Sequence, residues 1–347
     1  MWTADPMCDY AHISTDVLRG CMLKRVATGI PEGTGPSQMS RANHSSSMKT
    51  LRTVKDLRAA LAPDRRTGLE IGLVPTMGAL HEGHLSLISR AREQCDRVVV
   101  SLFVNPAQFN EGTDLERYPR QEQHDAQLAA SAGADLLFAP SVEEIYPPGF
   151  ATSVEVLGVS ERLEGAARGA EHFRGVCTVV TKLLCMCQPD AAYFGQKDAQ
   201  QVVVIRRLVR DLDLPVRIEV CPTMREPDGL AMSSRNALLA PREREQALAL
   251  YGALRSIEDY AERGERRTAR LLEAGHQRLA ARGVHPEYLE LVDPETLEHL
   301  EWLNRPALLA VAANVGATRL IDNLMLQPVA VPTIDPNAER AMTTCSA

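Results

Sequence analysis

From Met48 onward the apolar residues follow two alternating patterns: short unbroken runs, and longer stretches whose apolar positions recur every three or four residues. Leu51, Val54, Leu57 and Leu61 share one face, which predicts a helix opening at Met48. A buried strand starts near Glu70 and ends at Gly72-Leu-Val-Pro75, His84 to Cys95 reads as a helix, and Arg97-Val-Val-Val-Ser-Leu-Phe-Val104 is a strongly apolar strand. The alternation continues with a helix near 120–132, a strand at Asp135-Leu-Leu-Phe138, a short strand over Ser153–Leu157 and a helix over His172–Cys187. A strand at Ala192-Tyr-Phe194, a helix over Ala199–Leu212 and a strand at Val216-Arg-Ile-Glu-Val220 follow. Strand–helix alternation with unbroken apolar strands predicts an α/β fold with a parallel sheet covered on both faces. Such sheets bind ligands beyond the carboxyl ends of their strands, at helix N-termini.

Past residue 223 the order changes. Helices near 241–263 and 267–282 precede strands at Tyr288–Val292, Ala307–Ala313 and Arg319–Leu326, a pattern of a small α+β domain. Residues 1–47 have no sustained period and hold scattered Gly, Pro and Ser, so they read as a disordered extension, with Met48 the expected translation start. Asp5, Asp9, Asp16 and Glu32 argue against a mitochondrial transit peptide. The expected division is therefore an extension at 1–47, a first domain at 48–223, a second at 224–327 and a frayed tail at 328–347.

Composition narrows the function classes. The 347 residues are 45% hydrophobic and 24% charged, the balance of a globular chain of about two domains. Aromatics are only 4% and the net charge is −7, which opposes a nucleic-acid surface but not a local phosphate pocket. No apolar run is long enough for a membrane span, and no continuous signal-peptide core opens the chain. The eight cysteines form no C-x-x-C pair, which fits a reduced, cytoplasmic protein. The 38 basic residues include only five lysines, Lys24, Lys49, Lys55, Lys182 and Lys197, a bias that fits genome composition but draws attention to each lysine.

The candidate chemistry sits where strands end. Val74-Pro-Thr-Met-Gly-Ala-Leu-His-Glu-Gly-His84 joins a strand to a helix. Gly78 permits a tight turn, Gly83 a close approach to backbone, and the helix start favours phosphate. His81 and His84 are spaced to face one ligand; a zinc helix would need histidines four apart with no glycine between them, and two exposed turn histidines are the plain alternative. Met232-Ser-Ser-Arg-Asn236, after Glu226-Pro-Asp-Gly229, offers hydroxyls and one fixed cation, either a polyphosphate clamp or a polar surface loop. Phe194-Gly-Gln-Lys-Asp-Ala-Gln-Gln201 opens a helix, where Lys197 is a movable point charge and Asp198 suits a first-turn role as well as a metal role. In Ser101-Leu-Phe-Val-Asn-Pro-Ala-Gln-Phe109, Asn105 and Gln108 can hydrogen-bond a hydroxylated substrate, although Asn-Pro alone also makes turns. Glu171-His-Phe-Arg-Gly-Val176, with Arg168 just before it, carries no function by itself and reads equally as a capping loop.

Together these motifs resemble the pantothenate synthetase (pantoate–β-alanine ligase) family of the nucleotidylyltransferase superfamily. P-T-M-G-A-L-H-x-G-H, V-N-P-x-Q-F, H-F-R-G-V, F-G-x-K-D-x-Q-Q and D-G-L-A-M-S-S-R-N stand in family order and spacing from about Met48 to Leu326. The resemblance implies a Rossmann-like domain with a smaller C-terminal lid, a homodimer, and an ATP- and Mg²⁺-dependent reaction. D-pantoate and ATP would give pantoyl-adenylate and pyrophosphate; β-alanine would then give pantothenate and AMP. The implied ATP-binding residues are Thr76, Met77, Gly78, His81, Gly83 and His84, then Gly195, Lys197, Asp198, Met224, Met232, Ser233, Ser234 and Arg235. The implied catalytic set is His84, the family's assigned proton donor, with His81, Lys197 and Arg235; Met77, Asn105, Gln108, Arg168 and Gln201 would hold pantoate and β-alanine. No membrane or nucleic-acid partner is implied. Because pantoate's own carboxylate would be the nucleophile, no activated Ser or Cys is needed. Three departures bear on metal handling and loop placement: Gln196 for the usual Glu, an Arg168-to-Phe173 loop one residue longer and without proline, and His124-Asp125 where many members have paired acids. A nucleotidylyltransferase that keeps the nucleotide on its product, a tRNA-synthetase relative and a non-catalytic homologue are the competing readings. Gln108 with Gln201 opposes the first, charge and composition the second, and the intact H-x-G-H, Lys197 and Ser-Ser-Arg the third.

Overall fold

A computed structural model describes residues 48–109, 115, 116 and 118–328. The readings of 1–47 as an extension and of the end of the chain as a tail fall outside these residues, except for Pro328. Nine strands and nine α-helices of four residues or more are described: β1 (Lys49–Leu51), α1 (Val54–Arg66), β2 (Ile71–Thr76), α2 (Glu82–Gln94), β3 (Arg97–Leu102), α3 (Glu122–Ser131), β4 (Leu136–Phe138), α4 (Val142–Ile145), α5 (Leu163–Arg168), α6 (Ala170–Cys187), β5 (Ala191–Gly195), α7 (Ala199–Asp211), β6 (Arg217–Cys221), α8 (Pro241–Glu262), α9 (Thr268–Ala280), β7 (Pro286–Val292), β8 (Ala307–Val315) and β9 (Thr318–Leu326). None of these helices is long and apolar enough to cross a membrane.

The first six strands form one parallel sheet in the order β1-β4-β3-β2-β5-β6. Its strands read as unbroken apolar runs because both faces are covered. Leu73 and Val99 pack under α1, α6 and α7, with Leu57, Leu61, Leu183 and Ile205. The alternate residues Val74, Val98 and Val100 pack under α2 and α3, with Leu87, Ile88 and Ala129. The order in which strands are added across the sheet reverses between β2 and β5, and the crevice beyond their carboxyl ends is where such sheets take ligands.

The last three strands form an antiparallel sheet with β8 in the centre. Leu309, Val311 and Ala313 of β8 face α8 and α9, joining Leu250, Leu254 and Leu271. Leu308 and Ala310, on the other face, join the cluster that includes Leu163 and Phe173. The small sheet is thus sandwiched between its own helices and the α5–α6 region of the larger unit.

Two expectations differ from the structure. Met48 does not open a helix: Lys49–Leu51 pairs with Leu136–Phe138 as the edge of the parallel sheet. The helix waits until Thr53, whose hydroxyl accepts a hydrogen bond from the Asp56 N–H at 3.1 Å and so caps α1. Ser153–Leu157 forms no strand either. Its alternating valines, Val154 and Val156, pack on the core, and the Val154 N–H donates to the Thr178 hydroxyl of α6 (3.0 Å) rather than to a neighbouring strand.

The turn at Pro106–Gln108 lies against α6 at Gly175, where an added Cβ would stand 2.2 Å from the Ala107 carbonyl oxygen and 2.7 Å from the Gln108 nitrogen. Gly175→Ala is therefore expected to lower stability by about 1–3 kcal/mol through overpacking against backbone, read as a shift of the urea midpoint. An unchanged midpoint would show that this contact is slack.

Candidate active site

The turn between β2 and α2 is built on positive φ angles, Gly78 at +88° and Ala79 at +52°. Asp125 of α3 holds it. Its fully buried carboxylate accepts from the Ala79 N–H at 3.0 Å and the Leu80 N–H at 2.8 Å. An added Cβ at Gly78 would meet that carboxylate at 3.0 Å, so glycine is needed there for space as well as for φ. Asp125 is thereby committed to backbone, and its neighbour His124 is exposed.

The turn delivers His81 as the N-cap of α2. The Gly83 N–H donates to His81 Nδ1 (3.1 Å), and the His81 N–H donates to His84 Nδ1 (3.3 Å). With both Nδ1 atoms accepting, each neutral ring carries its proton on Nε2. Gly83 has no side chain because the His81 ring occupies that space; a Cβ would lie 2.9 Å from its Cε1. The two rings stand 4.2 Å apart between centroids. Burial, reinforced by His81 and Lys197, pushes His84 down to about 3, and burial with Lys197 lowers His81. Both are therefore neutral N–H donors at neutral pH, suited to anionic oxygens without being acids in their own right.

Three further walls complete a cavity of about 1270 Å³. Lys197 follows β5, its ammonium 3.5 Å from the Asp198 carboxylate. Asn323 of β9 donates to the carbonyls of Gln196 and Lys197, both at 2.9 Å, and accepts from the Gln196 amide at 3.0 Å. Gln196 is thus a tether to β9. The second wall is the segment from Met224 to Arg235. Arg225 holds it by a two-pronged ion pair to Asp322 (2.6 and 2.9 Å) while lying 3.9 Å over the Tyr251 ring. Ser233 caps the turn Ser234–Leu238 by accepting from the Arg235 N–H (3.3 Å).

The third wall is built around Asn105 and Gln108. Asn105 is buried and fully engaged: its amide donates to Gln108 Oε1 (3.0 Å) and the Gly175 carbonyl (3.1 Å), and its oxygen accepts from the Tyr146 hydroxyl (2.7 Å) and the Ala107 N–H (3.3 Å). It orients Gln108, whose amide nitrogen is left to point at Met77 Sδ, 3.0 Å away. The His172 Nδ1 lies 2.9 Å from the Gln108 carbonyl oxygen.

Thr76, Met77, His81, Gly83 and His84 border this one cavity, as do Gly195, Lys197, Asp198 and Gln201. So do Met224, Met232, Ser233, Ser234 and Arg235, and Asn105, Gln108 and Arg168. Gly78 does not border it; it shapes the turn behind. Among the described residues no three His, Cys, Asp or Glu side chains converge as a metal cage. A magnesium ion that arrives on a polyphosphate needs only one or two protein carboxylates. Half-exposed Asp198 is chemically suited to that, whereas Glu164 and Asp322 at the cavity are committed to arginines.

Glu164 escaped the sequence reading. It accepts from both Arg319 terminal nitrogens (2.7 and 2.8 Å), from Arg168 (3.0 Å) and from the Tyr288 hydroxyl (2.8 Å), joining α5 to β7 and β9. Its spacing four residues before Arg168 was the available signal. Asp322-Asn323, two polar residues interrupting an apolar strand, was the signal for the ties of β9.

A family model described as pantoate-beta-alanine ligase matches residues 49–325. The pantothenate synthetase of Koribacter versatilis is 50% identical over 281 residues, 81% of this chain and 96% of that protein. Among solved structures, pantothenate synthetase from Thermus thermophilus matches with a TM-score of 0.77 and 49% identity, covering 81% of this chain and all of that one. A Francisella tularensis pantoate-beta-alanine ligase, complexed with beta-gamma ATP and beta-alanine, matches with a TM-score of 0.67 and 38% identity over 80% of this chain and 97% of that one.

Burial alone would raise the Glu164 carboxyl, but Arg319 and Arg168 outweigh it and hold it at about 2. The stabilisation is therefore complete above the ordinary carboxyl range and is lost as pH falls through the folded value. Glu164→Gln should lower the melting temperature at pH 7, and the gap to the parent should narrow as pH drops from about 4.5 toward 2. A gap constant across that window would contradict the ionised, arginine-paired assignment.

Proposed function

The chain belongs to the pantoate–β-alanine ligase family, and on that premise we propose how its residues divide the labour of the ATP-dependent joining of pantoate to β-alanine. The observation that carries the reading is the meeting, at the sheet's reversal point, of two neutral Nε2–H donors, Lys197 and Arg235 with the donor amide of Gln108. The reaction begins when the pantoate carboxylate attacks the α-phosphorus of ATP, forming pantoyl-adenylate and releasing pyrophosphate. What must be stabilised is charge on phosphate oxygens as the P–O bond breaks, a task of positioning and electrostatics. His81 and His84 donate from Nε2, the N-terminus of α2 adds its partial positive charge, and Lys197 follows the departing oxygens. Arg235 and the serines before it bind the polyphosphate tail. Asp198 would hold a magnesium ion arriving with the nucleotide, and that ion would supply neutralising charge. Gln108, its oxygen occupied by Asn105, presents N–H groups to pantoate oxygens, and Gln201 and Arg168 border the same end.

Residues 224–327 act as the lid that shields the adenylate from water, supported by the ties from Asp322 and Asn323 to the segments that carry Arg235 and Lys197. The working form is a cytoplasmic homodimer acting on small molecules rather than nucleic acid, a reading that rests on the family resemblance, the acidic net charge and the absence of C-x-x-C pairs.

Pyrophosphate release from ATP, Mg²⁺ and D-pantoate tests the reading, with AMP release requiring β-alanine as well. His84→Ala and Lys197→Ala should each slow pyrophosphate release by at least about 100-fold, the scale for removing one preorganised donor. Parent-like release in either variant would remove that residue from its role in stabilising the phosphate charge.

A further inference from the structure

The motif Glu171-His-Phe-Arg-Gly-Val176 has so far supplied only packing, yet its histidine borders the cavity. The His172 Nδ1 is 2.9 Å from the Gln108 carbonyl oxygen. A carbonyl oxygen can only accept, so Nδ1 must carry a proton. In the neutral ring Nε2 is then a bare lone pair on the opposite edge. This tautomer is the reverse of that in His81 and His84, whose Nδ1 atoms accept and whose Nε2 atoms are protonated. The ring borders the same cavity as Gln108 and Arg168, hydrogen-bonded to the first and within electrostatic reach of the second. From the geometry we propose that His172 is the base of the second half-reaction, taking the proton that β-alanine's nitrogen must shed as it attacks the acyl-adenylate.

The proposal rests on the adenylate reading of the first half-reaction. The nitrogen enters as a neutral amine, its ammonium proton having gone to water. Its lone pair forms the C–N bond to the acyl carbon, and the nitrogen becomes positive and strongly acidic. His172 Nε2 accepts that proton. The bond from the acyl carbon to the bridging oxygen breaks, AMP leaves with the electron pair, and imidazolium later returns its proton to solvent. No oxidant or further reactant is required.

The other ionisable groups bordering the cavity near this ring are already engaged: Glu287 with Arg319 and Asn314, and Asp198 with Lys197. Arg168 and Arg319 are cations, and the Glu164 carboxylate is saturated by those two arginines and the Tyr288 hydroxyl. Asn105 and Gln108 have no basic lone pair. The charged groups acting on His172 are Arg168, Glu164 and Asp198, and burial, the strongest influence, keeps the ring neutral and ready to accept. Gln108 would link the two half-reactions: its side-chain amide, beside Met77, is the group assigned above to pantoate, while its carbonyl fixes the tautomer of the base.

His172→Asn is the decisive variant. An asparagine amide can reach the place of Nδ1 and keep the bond to the Gln108 carbonyl, while nothing replaces Nε2. Pyrophosphate release in a single turnover without β-alanine should stay within about twofold of the parent, and pantothenate formation should fall by about 100-fold or more, the usual weight of a positioned base. Hydroxylamine, a weakly basic nucleophile that can lose its proton to water unaided, should trap the adenylate in the variant at the parent's rate. His172→Gln, which cannot act as a base from either position, should behave alike and serves if the asparagine variant does not fold. Parent-like pantothenate formation in a folded variant would overturn the proposal, and so would loss of hydroxylamine trapping, which would mark a structural role. Absence of pyrophosphate release in the parent would instead sink the adenylate reading on which it stands.

Discussion

The site hangs on one buried carboxylate. Asp125 spends both oxygens on the N–H groups of Ala79 and Leu80, and this fixes a turn of two consecutive positive φ angles directly after β2. A buried charge is tolerable only when its hydrogen-bonding capacity is filled, and here the filling partners are the backbone groups that need holding. The turn sets where α2 begins, and the start of α2 places His81 and His84. If the turn relaxed, the reciprocal capping of the two rings would fail, and with it the tautomers that turn both Nε2–H groups into donors. A residue in the position of a metal-ligand candidate is therefore an architectural one.

A second set of constraints reaches in from the small sheet. Asp322 and Asn323 are adjacent in β9, yet one grips the segment before Ser233 through Arg225 and the other grips the backbone of Lys197. Arg319, three residues earlier, grips Glu164 on α5. One strand thus braces two walls of the cavity and also α5, whose Arg168 borders it. The ion pairs involved are largely buried, so breaking one partner would leave an uncompensated charge in a dry place. This makes the position of β9 a condition for the residues proposed to handle phosphate, although β9 itself supplies none of them.

Periodicity carried most of the architecture because the parallel sheet is covered on both faces and its strands are unmistakably apolar, as in Val98–Val100. It failed where alternation had another cause. Val154 and Val156 alternate because they pack on α6, and Leu51 falls in step with Val54 and Leu57 although a strand ends and a capped helix begins between them. Motif chemistry gathered nearly all the expected residues at one cavity, but it did not separate contact from support. Asn105 read as a substrate ligand, whereas its four hydrogen bonds are spent on Gln108, Gly175, Tyr146 and Ala107. Gln196, a departure from the family pattern beside Lys197, is occupied by Asn323. Partners more than 100 residues apart in sequence, such as Glu164 with Arg319, leave no local spacing to read.

The chemistry turns on which bond of ATP is attacked and by what atom. Pantoate labelled with ¹⁸O in its carboxylate, turned over with ATP and β-alanine, makes this visible by mass. If the carboxylate attacks the α-phosphorus and the amine then cleaves the acyl–oxygen bond, each AMP carries one ¹⁸O and pyrophosphate carries none. Label in pyrophosphate or inorganic phosphate, or AMP free of label, would contradict it.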